Sequence, residues 1–407
     1  MGESYTVPAG ARLRAGRHAL PAWRRAMAQG HWGTVGDTPA AINPYSNPAL
    51  NPLTGNAPWN GSTTMSGNRF ASIIGAWCGG AWHEDRRQLY VSGGGHGDYA
   101  GNEVISLALG KDAPAWELTA PPSGSAARTW SGWAPVAGVL DNGGSGTYPD
   151  GRVRAVHTYW NLSVCRDGYL WNGGGSQFLA GSYGVWAARF DPLLRDYVDK
   201  ASDIRIFPYS TVNAWGMWVY DSLRHRFLRS ATGLARVYPF NVGTLSWGNQ
   251  IGYELDRGAY CAARYDAPRD IVLCRGNSAF SGGAHNEAEL EILDFGHGAH
   301  GYAVVSGPVG FSWPGWHGRT GMAYYPPWDC YLIWPSGSAS LYRLDPPPVG
   351  SASYLTGWTL SEVPAAAGSP TVGATNGTFG RFWASAALRC CGVINSVNEP
   401  MQVFALE

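Results

Sequence analysis

The chain has 407 residues, which is too long for one small core and allows either several domains or one large β architecture. Lys plus Arg and Asp plus Glu number 29 each, and this zero net charge argues against a general nucleic-acid binder, which needs a basic surface. The 56 glycines and 27 prolines disfavour long helices, and the 20 tryptophans and 21 tyrosines favour short, aromatic-rich strands.

The N-terminal segment 1–29 is basic, with five arginines against one acidic residue, Glu3. It has no apolar stretch typical of a secretory leader, and no window of 18 apolar residues in the chain predicts a membrane span. Residues 21–29 predict a short helix with proline in its first turn. We expect this arm either to dock on another subunit or to pack on the chain's own surface.

An internal repeat organises the rest of the chain. Each copy has an apolar strand, a polar turn with Asp or Arg, a second apolar strand that ends on glycine or another small residue, and a third strand. The third strands are predicted at 104–109, 185–190, 235–240, 288–293, 340–344 and 401–406. Fourth strands are predicted to begin at Trp116, Trp247 and Trp358, with 204–207 and 302–305 as less clear candidates.

The last copy ends at Glu407 after three strands, and the missing tryptophan strand stands at the other end of the chain, in residues 30–36. A linear array would leave an unpaired edge, whereas a ring pairs residues 30–36 as the outer strand of the last sheet. Four-stranded sheets repeated around a ring form a β-propeller. We therefore predict an all-β, six-bladed β-propeller of four-stranded antiparallel blades, and a seventh blade within 37–70 or 120–154 is the alternative.

The predicted organisation is a basic arm, 1–29, followed by one propeller, 30–407. Residues 30–36 close the last blade, and 37–72 form a long loop stiffened by five prolines. The blades are predicted near 73–120, 154–208, 212–252, 257–306, 319–363 and 379–407.

The chain resembles the kelch-type propellers, the group that includes the propeller of galactose oxidase. This resemblance covers about residues 30–407 and rests on apolar strands followed by Gly93-Gly94 and Gly173-Gly174, with Trp116 downstream of the first pair. The segment from Ser92 to Val104 is also similar to kelch-like propeller proteins of tailed phages and prophages. This second resemblance implies a component of a virus particle.

In a four-stranded blade, the loops after strands two and four open on one face, and in this chain those loops are the long ones. They are predicted at 37–72, 95–102, 120–154, 176–184, 277–287, 306–319 and 364–380. We call this side the long-loop face and the opposite side, which carries the short turns, the hairpin face. Because long loops on a rigid scaffold commonly carry function, we expect the ligand to bind to the long-loop face.

The first group of candidate ligand-binding residues is His96, Asp98 and Tyr99. His and Asp two positions apart could share a metal or a proton, and Tyr99 could stack on a ligand. The structural alternative is that Asp98 and Asn102 hydrogen-bond the backbone of a tight turn. An Asn-Glu pair recurs at 102–103, 286–287 and 398–399, which indicates a feature that builds blades rather than a unique site.

The second group of candidates is aromatic and basic. Flat aromatic rings stack on sugar rings, and the planar donor fork of arginine binds carboxylates, so the group suits an acidic or neutral glycan. The alternative is that the tryptophans pack between blades and the arginines bind carbonyls at strand ends. The residues of this group are Trp130, Trp133, Trp316, His317, Arg319 and Arg381.

The seven cysteines include no C-x-x-C pair, so we predict buried thiols rather than a disulfide framework or a zinc site. Cys261 and Cys274 flank Ala267-Pro268 symmetrically and are predicted to be cross-strand neighbours. A disulfide between them is the less favoured alternative, because nothing in the sequence indicates an oxidising compartment.

These patterns favour a non-enzymatic binding or structural protein, most concretely a phage virion component in the tail, a head appendage or a host-attachment device. The expected partners are other virion proteins, bound through the arm or the blade faces in a homo- or hetero-oligomer, and a host-surface glycan. We expect no cofactor, no metal, no nucleic acid and no membrane insertion. The expected location is the virion, with the cytoplasm as the alternative.

Two other functions remain open from the sequence. One is a carbohydrate-active enzyme, either a hydrolase or lyase that uses Asp98, Glu103 or His317, or a galactose-oxidase-like copper oxidase. For a copper site, Cys78, Tyr99, His96 and His317 are the available side chains. The other is an intracellular kelch module that binds proteins.

Overall fold

The computed structural model describes most of the chain as β structure joined by turns and loops. The described residues are 19–43, 69–95, 98–99, 101–123, 147–148, 150–177, 183–200, 203–208, 216–231, 236–254, 259–277, 289–308 and 320–407. Helix is confined to short segments, and none of the helices in these residues is long and apolar enough to cross a membrane. These helices are α1 (Ala22–Arg25), α2 (Ser72–Gly75) and the 3-10 turns Pro39–Ile42, Arg69–Ala71, Pro326–Trp328 and Phe379–Arg381.

The strands form five sheets, and the largest consists of two four-stranded antiparallel units joined by a short parallel pairing. We number the resulting six antiparallel units as blades 1 to 6. Strand β1 is Trp32–Val35. Blade 1 consists of β2 (Gly79–His83), β3 (Gln88–Ser92), β4 (Val104–Ala108) and β5 (Trp116–Ala120). Blade 2 consists of β6 (Val156–His157), β7 (Leu162–Val164), β8 (Leu170–Gln177), β9 (Tyr183–Asp191), β10 (Asp196–Tyr197) and β11 (Arg205–Ile206). Blade 3 consists of β12 (Trp218–Asp221), β13 (Arg226–Ala231), β14 (Arg236–Asn241), β15 (Ser246–Trp247) and β16 (Ile251–Glu254).

The remaining blades have one unbroken strand at each position. Blade 4 consists of β17 (Ala259–Asp266), β18 (Ile271–Asn277), β19 (Glu289–Asp294) and β20 (Ala299–Ser306). Blade 5 consists of β21 (Gly321–Tyr325), β22 (Cys330–Trp334), β23 (Leu341–Asp345) and β24 (Trp358–Val363). Blade 6 consists of β25 (Phe382–Ser385), β26 (Cys390–Val393) and β27 (Met401–Ala405), and β1 is its fourth strand.

The blades are arranged as a β-propeller, which confirms the predicted fold class. The first strands contact one another in the order β2, β7, β12, β17, β21 and β25, and β25 contacts β2 again. Most of residues 37–70 and 120–154, where the sequence allows a seventh blade, lie outside the described residues. The described part of the chain therefore contains six blades, and the total number stays a prediction.

The two ends of the chain meet in one sheet, as the sequence predicts. Strand β1 runs antiparallel to β27, with Trp32 opposite Phe404 and Val35 opposite Met401. The Trp32 ring lies 5.2 Å from that of Phe404, and its Nε1 donates to the carbonyl of Ala339 in blade 5 at 2.7 Å. Strand β1 thus covers the edge of the last blade and connects it to blade 5.

The described part of the N-terminal arm packs on the chain's own hairpin face. The buried Arg24 donates to the carbonyls of Leu388 and Arg389 at 2.9 Å each and to the carbonyl of Glu407. Trp23 Nε1 donates to the Leu109 carbonyl of blade 1 at 3.1 Å. The helix predicted within residues 21–29 is confined to Ala22–Arg25, and the side chains of Trp23 and Arg24 link blades 6 and 1.

The short turn between the first two strands has the same backbone conformation in every blade described. The residue directly before the second strand, or two positions before it in blade 2, has a positive φ. This conformation reverses the chain tightly but is unfavourable for residues other than glycine. These residues are Arg87, Gly168, His225, Asp270, Asp329 and Arg389, with φ between 48° and 82°. The polar turn recognised in the sequence repeat is therefore one recurring structural element.

One predicted pairing is wrong. Cys274 lies opposite Ala263 rather than Cys261, because Asp266 pairs with Ile271 and the turn is centred one residue later than the symmetric count assumes. Cys274 is a buried free thiol whose Sγ lies 3.4 Å from Met217 Sδ. The proposed disulfide partner is therefore not its cross-strand neighbour.

Replacing Trp32 by alanine tests how strongly ring closure stabilises the fold. W32A removes the ring from the β1–β27 contact and the hydrogen bond to Ala339, so we expect the free energy of unfolding to fall by about 3–5 kcal/mol. Chemical denaturation monitored by circular dichroism measures this loss. T34A, in the exposed side chain of the same strand, is the control and should change the value by about 0.5 kcal/mol or less. Equal effects of the two substitutions would contradict a closure role for Trp32.

Candidate functional site

The glycine run after β3 directs the following loop towards blade 2. A Cβ at Gly93 would lie 2.2 Å from the Sγ of Cys78, and Gly94 and Gly95 have φ of 132° and 77°. Only glycine fits such close packing together with this backbone conformation. The amide of Gly95 donates to the Tyr99 carbonyl at 2.6 Å, which closes the loop and holds Asp98 between the two blades.

The loop places Asp98 against a histidine of blade 2. Asp98 Oδ2 lies 2.7 Å from His157 Nε2, and the Trp77 ring packs on the imidazole at 5.1 Å between ring centres. The side chain of His157 is 4% exposed, whereas that of Asp98 is 36% exposed. The carboxylate is therefore accessible on the long-loop face while its orientation is set by a buried partner.

The imidazole continues into a buried chain of hydroxyl groups. His157 Nδ1 lies 3.4 Å from Tyr159 Oη, and this oxygen lies 3.0 Å from Ser176 Oγ. Tyr159 and Ser176 are both buried. Both ring nitrogens of His157 thus face protein groups, and Asp98 is the member of this chain that is open to a ligand.

Tyr99 and Asn102, two other residues of this loop, make structural contacts. Tyr99 is buried, donates its hydroxyl to the Glu103 carboxylate and packs edge-on to Phe70, so it does not offer the predicted stacking face. Asn102 donates to Ser123 Oγ and to the Val153 carbonyl, both at 2.8 Å. The expectation that the Asn-Glu pair builds the blade agrees with these contacts.

In the second, aromatic and basic group of candidates, Arg381 is the member whose position the structure describes, and it lies inside the protein. It has no exposed surface, and its guanidinium donates to the carbonyls of Ile74, Gly377 and Thr378. Burial lowers the pKa of Arg381 to about 10. These contacts favour the structural alternative stated for this residue.

The remaining predicted site residues lie outside the described residues. They are His96, Trp130, Trp133, Trp316, His317 and Arg319. Their role in binding stays a prediction. The described residues contain no group of three or more His, Cys, Asp or Glu side chains placed to hold a metal ion.

Sequence reasoning missed the aromatic residues around His157. Trp77, Tyr159 and Phe379 all have a left-handed backbone, with φ of 50°, 46° and 46°. Tyr159 packs edge-on to Phe379 at 5.7 Å, and each residue lies just before the first strand of its blade. Such strained positions cluster at functional sites. A comparison of the sequence copies could have identified these positions. Trp77 stands ten residues before the left-handed turn residue Arg87, and Phe379 stands ten residues before its counterpart Arg389.

A cavity of about 350 Å³ occupies the centre of the ring, and we call it the central channel. It extends to the hairpin face, where Ser222 in the first turn of blade 3 lines it. All six first strands contribute to its wall. The aromatic and charged residues that line it are Trp82, Trp160, Trp218, Tyr220, Arg264, Tyr265, Tyr324, Phe382 and Trp383.

Ion pairs between neighbouring turns hold the tyrosines at the hairpin end of the channel. Arg269 of blade 4 forms two hydrogen bonds, at 3.0 and 2.7 Å, with the carboxylate of Asp329 in blade 5, which also accepts from Tyr324 at 2.8 Å. Arg224 of blade 3 makes the equivalent pair with Asp270 of blade 4, which accepts from Tyr265 at 2.6 Å. The repeated arrangement fixes the tyrosine rings around the opening.

No family model and no curated protein matches the chain. Among solved structures, hydrazine synthase of Kuenenia stuttgartiensis is similar at 12% identity and a TM-score of 0.42, over 80% of this chain and 82% of that one. U3-55K is similar at 9% identity and a TM-score of 0.42, over 80% and 94%. Virginiamycin B lyase from Staphylococcus aureus is similar at 10% identity and a TM-score of 0.39, over 80% and 93%. At these values the similarities carry no argument about function.

Replacing Asp329 by asparagine should change how the melting temperature depends on pH. The hydrogen bond from Arg269 lowers the pKa of Asp329 below its ordinary value of 3.8. The ion pair therefore stabilises the folded protein at pH values above the ordinary pKa of Asp329, and this stabilisation is lost as the pH falls through the lowered pKa. Between pH about 5 and about 2, the melting temperature of the wild type should therefore fall more steeply than that of D329N. E117Q, in the exposed Lys111–Glu117 pair, is the control, and a slope for D329N equal to the wild type would contradict the prediction.

The buried thiols should be unreactive in the folded protein. Burial raises the pKa of Cys78 and of Cys330 to about 12, so little thiolate forms at pH about 8. We expect C261S, which removes the cysteine whose side chain lies outside the described part, to show no rapid reaction with Ellman's reagent. Six thiols should react after denaturation, in line with the six buried free cysteines. Rapid stoichiometric labelling of folded C261S would contradict this description.

Proposed function

We propose that the protein is a non-enzymatic binding propeller that recognises its ligand with the long-loop face. The observation that carries the proposal is the Asp98–His157 pair, in which a partly exposed carboxylate is fixed by a buried imidazole at 2.7 Å. A fixed acceptor binds hydroxyl or amide donors without the cost of ordering its side chain.

A glycan is the ligand class that fits this surface best. The partly exposed Trp77 packs on the imidazole of His157, which also binds Asp98. An aromatic ring and a carboxylate therefore both contact one buried side chain. Sugar rings present an apolar face for aromatic stacking and hydroxyl groups that donate to carboxylates. The predicted aromatic residues Trp130, Trp133 and Trp316 would extend this surface.

Binding is favoured over catalysis by the position of the histidine. A general acid or base needs a nitrogen within reach of the substrate, and the two nitrogens of His157 face Asp98 and Tyr159. Glu103, the other carboxylate considered for an enzyme, is buried and accepts from Tyr99. These contacts favour structural roles for His157 and Glu103.

We further propose that the protein is a component of a tailed-phage particle that contributes to host attachment or assembly. This assignment rests on the resemblance of the Ser92–Val104 segment alone. The described arm, residues 19–29, packs on the chain's own blades, so partner proteins would bind to the blade faces or to the preceding residues.

Binding to immobilised surface polysaccharides of host bacteria tests the proposal. D98N should weaken the affinity about tenfold or more, because a charge-assisted hydrogen bond contributes about 1.5–3 kcal/mol. D85N, an exposed aspartate on the hairpin face, is the matched control and should bind like the wild type. Equal loss in both variants, or no retained polysaccharide, would contradict a glycan site at Asp98. Release of soluble oligosaccharides would instead support the enzyme alternative.

The virion assignment has its own test. Mass spectrometry of gradient-purified particles should detect the protein in a fixed ratio to the capsid protein, and antibodies against it should label the particles. Absence from the particles would refute the assignment even where glycan binding depends on Asp98.

A further inference from the structure

The hairpin end of the central channel is surrounded by aromatic side chains at one level of the ring. Four aromatic residues stand one position before the end of the first strand of their blade and line the channel: Trp82, Tyr220, Tyr265 and Tyr324. All four are partly exposed, and we call them the aromatic collar. Blade 6 has Ala384 at the same position, where the small side chain leaves room in the channel.

The three tyrosines of the collar are fixed by the turns of their own blades. Each hydroxyl group hydrogen-bonds to a side chain in the short turn that follows the first strand. These pairs are Tyr220 with His225 at 2.8 Å, Tyr265 with Asp270 at 2.6 Å and Tyr324 with Asp329 at 2.8 Å. A ring that is already held in place contacts a ligand with little further loss of side-chain entropy.

The fourth member of the collar, Trp82, is fixed by stacking and by a hydrogen bond. Its ring stacks on that of Trp383 with the centres 4.3 Å apart, and its Nε1 donates to Glu84 at 2.5 Å. The Glu84 carboxylate also accepts from the amide of Ala387 in the turn of blade 6 at 2.9 Å. The collar is therefore preorganised in blade 1 as well as in blades 3, 4 and 5.

The edges of the first strands add polar backbone groups to this aromatic wall. In the described sheets each first strand lies at an edge, so its inner side has no strand partner. Part of the N–H and C=O groups of an antiparallel edge strand point away from its partner, which is towards the channel in this ring. Such carbonyls are accessible there, because the side chain of Arg264 donates to those of Ala263 at 2.9 Å and Met322 at 2.6 Å.

These features define the shape and chemistry of a ligand. The channel volume of about 350 Å³ lies within the range of small-molecule pockets, about 300–1,000 Å³. Aromatic rings favour a ligand with flat apolar faces, and backbone edges favour one with hydrogen-bond donors and acceptors around its rim. A planar nitrogen heterocycle combines both properties, and such rings stack well on tyrosine and tryptophan.

We propose that the central channel binds a small, uncharged planar heterocycle of the nucleobase type. Its faces contact the aromatic collar, and the polar groups of its rim hydrogen-bond to the backbone edges of the first strands. The ligand enters from the hairpin face, where Ser222 of the blade 3 turn lines the channel. The site is independent of the glycan surface proposed above, since it shares no residue with the Asp98–His157 pair.

Three uncharged compounds test the two parts of this proposal by isothermal titration calorimetry at neutral pH. Adenine is flat with a polar rim, indole is flat with a single donor, and myo-inositol is polar but not flat. Adenine should bind about tenfold more tightly than indole, which leaves most rim hydrogen bonds unmade, and myo-inositol should bind most weakly. Adenine that binds no more tightly than either compound, or not at all at millimolar concentration, would overturn the proposal.

Matched substitutions at Tyr324 locate the ring contact. Y324L and Y324F both remove the hydrogen bond to Asp329, but only Y324L removes the ring. Y324L should weaken adenine binding about tenfold, whereas Y324F should stay within about threefold of the wild type. Y342L, on β23 of the same blade and outside the channel lining, is the control and should bind like the wild type. Equal affinities of Y324L and Y324F would contradict a stacking role for the collar.

A second position keeps the test independent of folding defects in blade 5. Y220L and Y220F in blade 3 should show the same difference in adenine affinity, and the melting temperature of each leucine variant identifies any loss of folding. D98N should bind adenine like the wild type, so failure of the glycan proposal and failure of this one give separate results.

Discussion

The structure depends on the pairing of β1 with β27. Without β1, the last blade would end at β27 and expose a row of unpaired backbone groups. Strand β1 also connects the last blade to the first, because it belongs to the sheet of blade 6 and precedes blade 1 in the chain. The arm that precedes β1 strengthens the same junction, because Arg24 binds carbonyls of blade 6 and Trp23 binds one of blade 1. Closure in turn brings the six first strands into one wall, so both the central channel and the shape of the long-loop face are consequences of this one sheet.

The two faces of the ring are stabilised in different ways. On the hairpin face, left-handed turn residues and arginine–aspartate pairs such as Arg269–Asp329 repeat from blade to blade. On the long-loop face, the described contacts are individual: the glycine run carries Asp98 to His157, and Arg381 joins the carbonyls around α2 to those before β25. Repeated contacts build the scaffold and unrepeated contacts create a distinctive surface. This difference supports a functional role for the long-loop face.

The non-glycine residues with a left-handed backbone show where the conformational preference of a residue conflicts with the packing of the whole fold. In the described chain, the non-glycine residues with positive φ fall mostly in hairpin turns, where they serve chain reversal. The exceptions are Trp77, Tyr159 and Phe379, which meet around His157 and the neighbouring end of the ring. Their conformation is maintained by packing: a Cβ at Gly79 would lie 2.0 Å from the Tyr159 carbonyl, so blades 1 and 2 touch at this point through backbone alone. The candidate site therefore lies beside a point where the backbones of blades 1 and 2 are in direct contact.

The sequence by itself determined the strands and the closure, because both follow from local patterns: apolar runs, polar turns, a tryptophan strand near the N-terminus and a last copy that lacks one. The third strands and the fourth strands at Trp116, Trp247 and Trp358 were predictable for this reason. The site was not, because Asp98 and His157 are 59 residues apart and meet only through the path of one loop onto the next blade. The register of Cys274 likewise depended on a left-handed turn at Asp270 that composition does not reveal. Tertiary structure decided which polar groups became buried, as for Arg381 and Tyr99, because burial depends on the distance between blades and not on spacing along the chain.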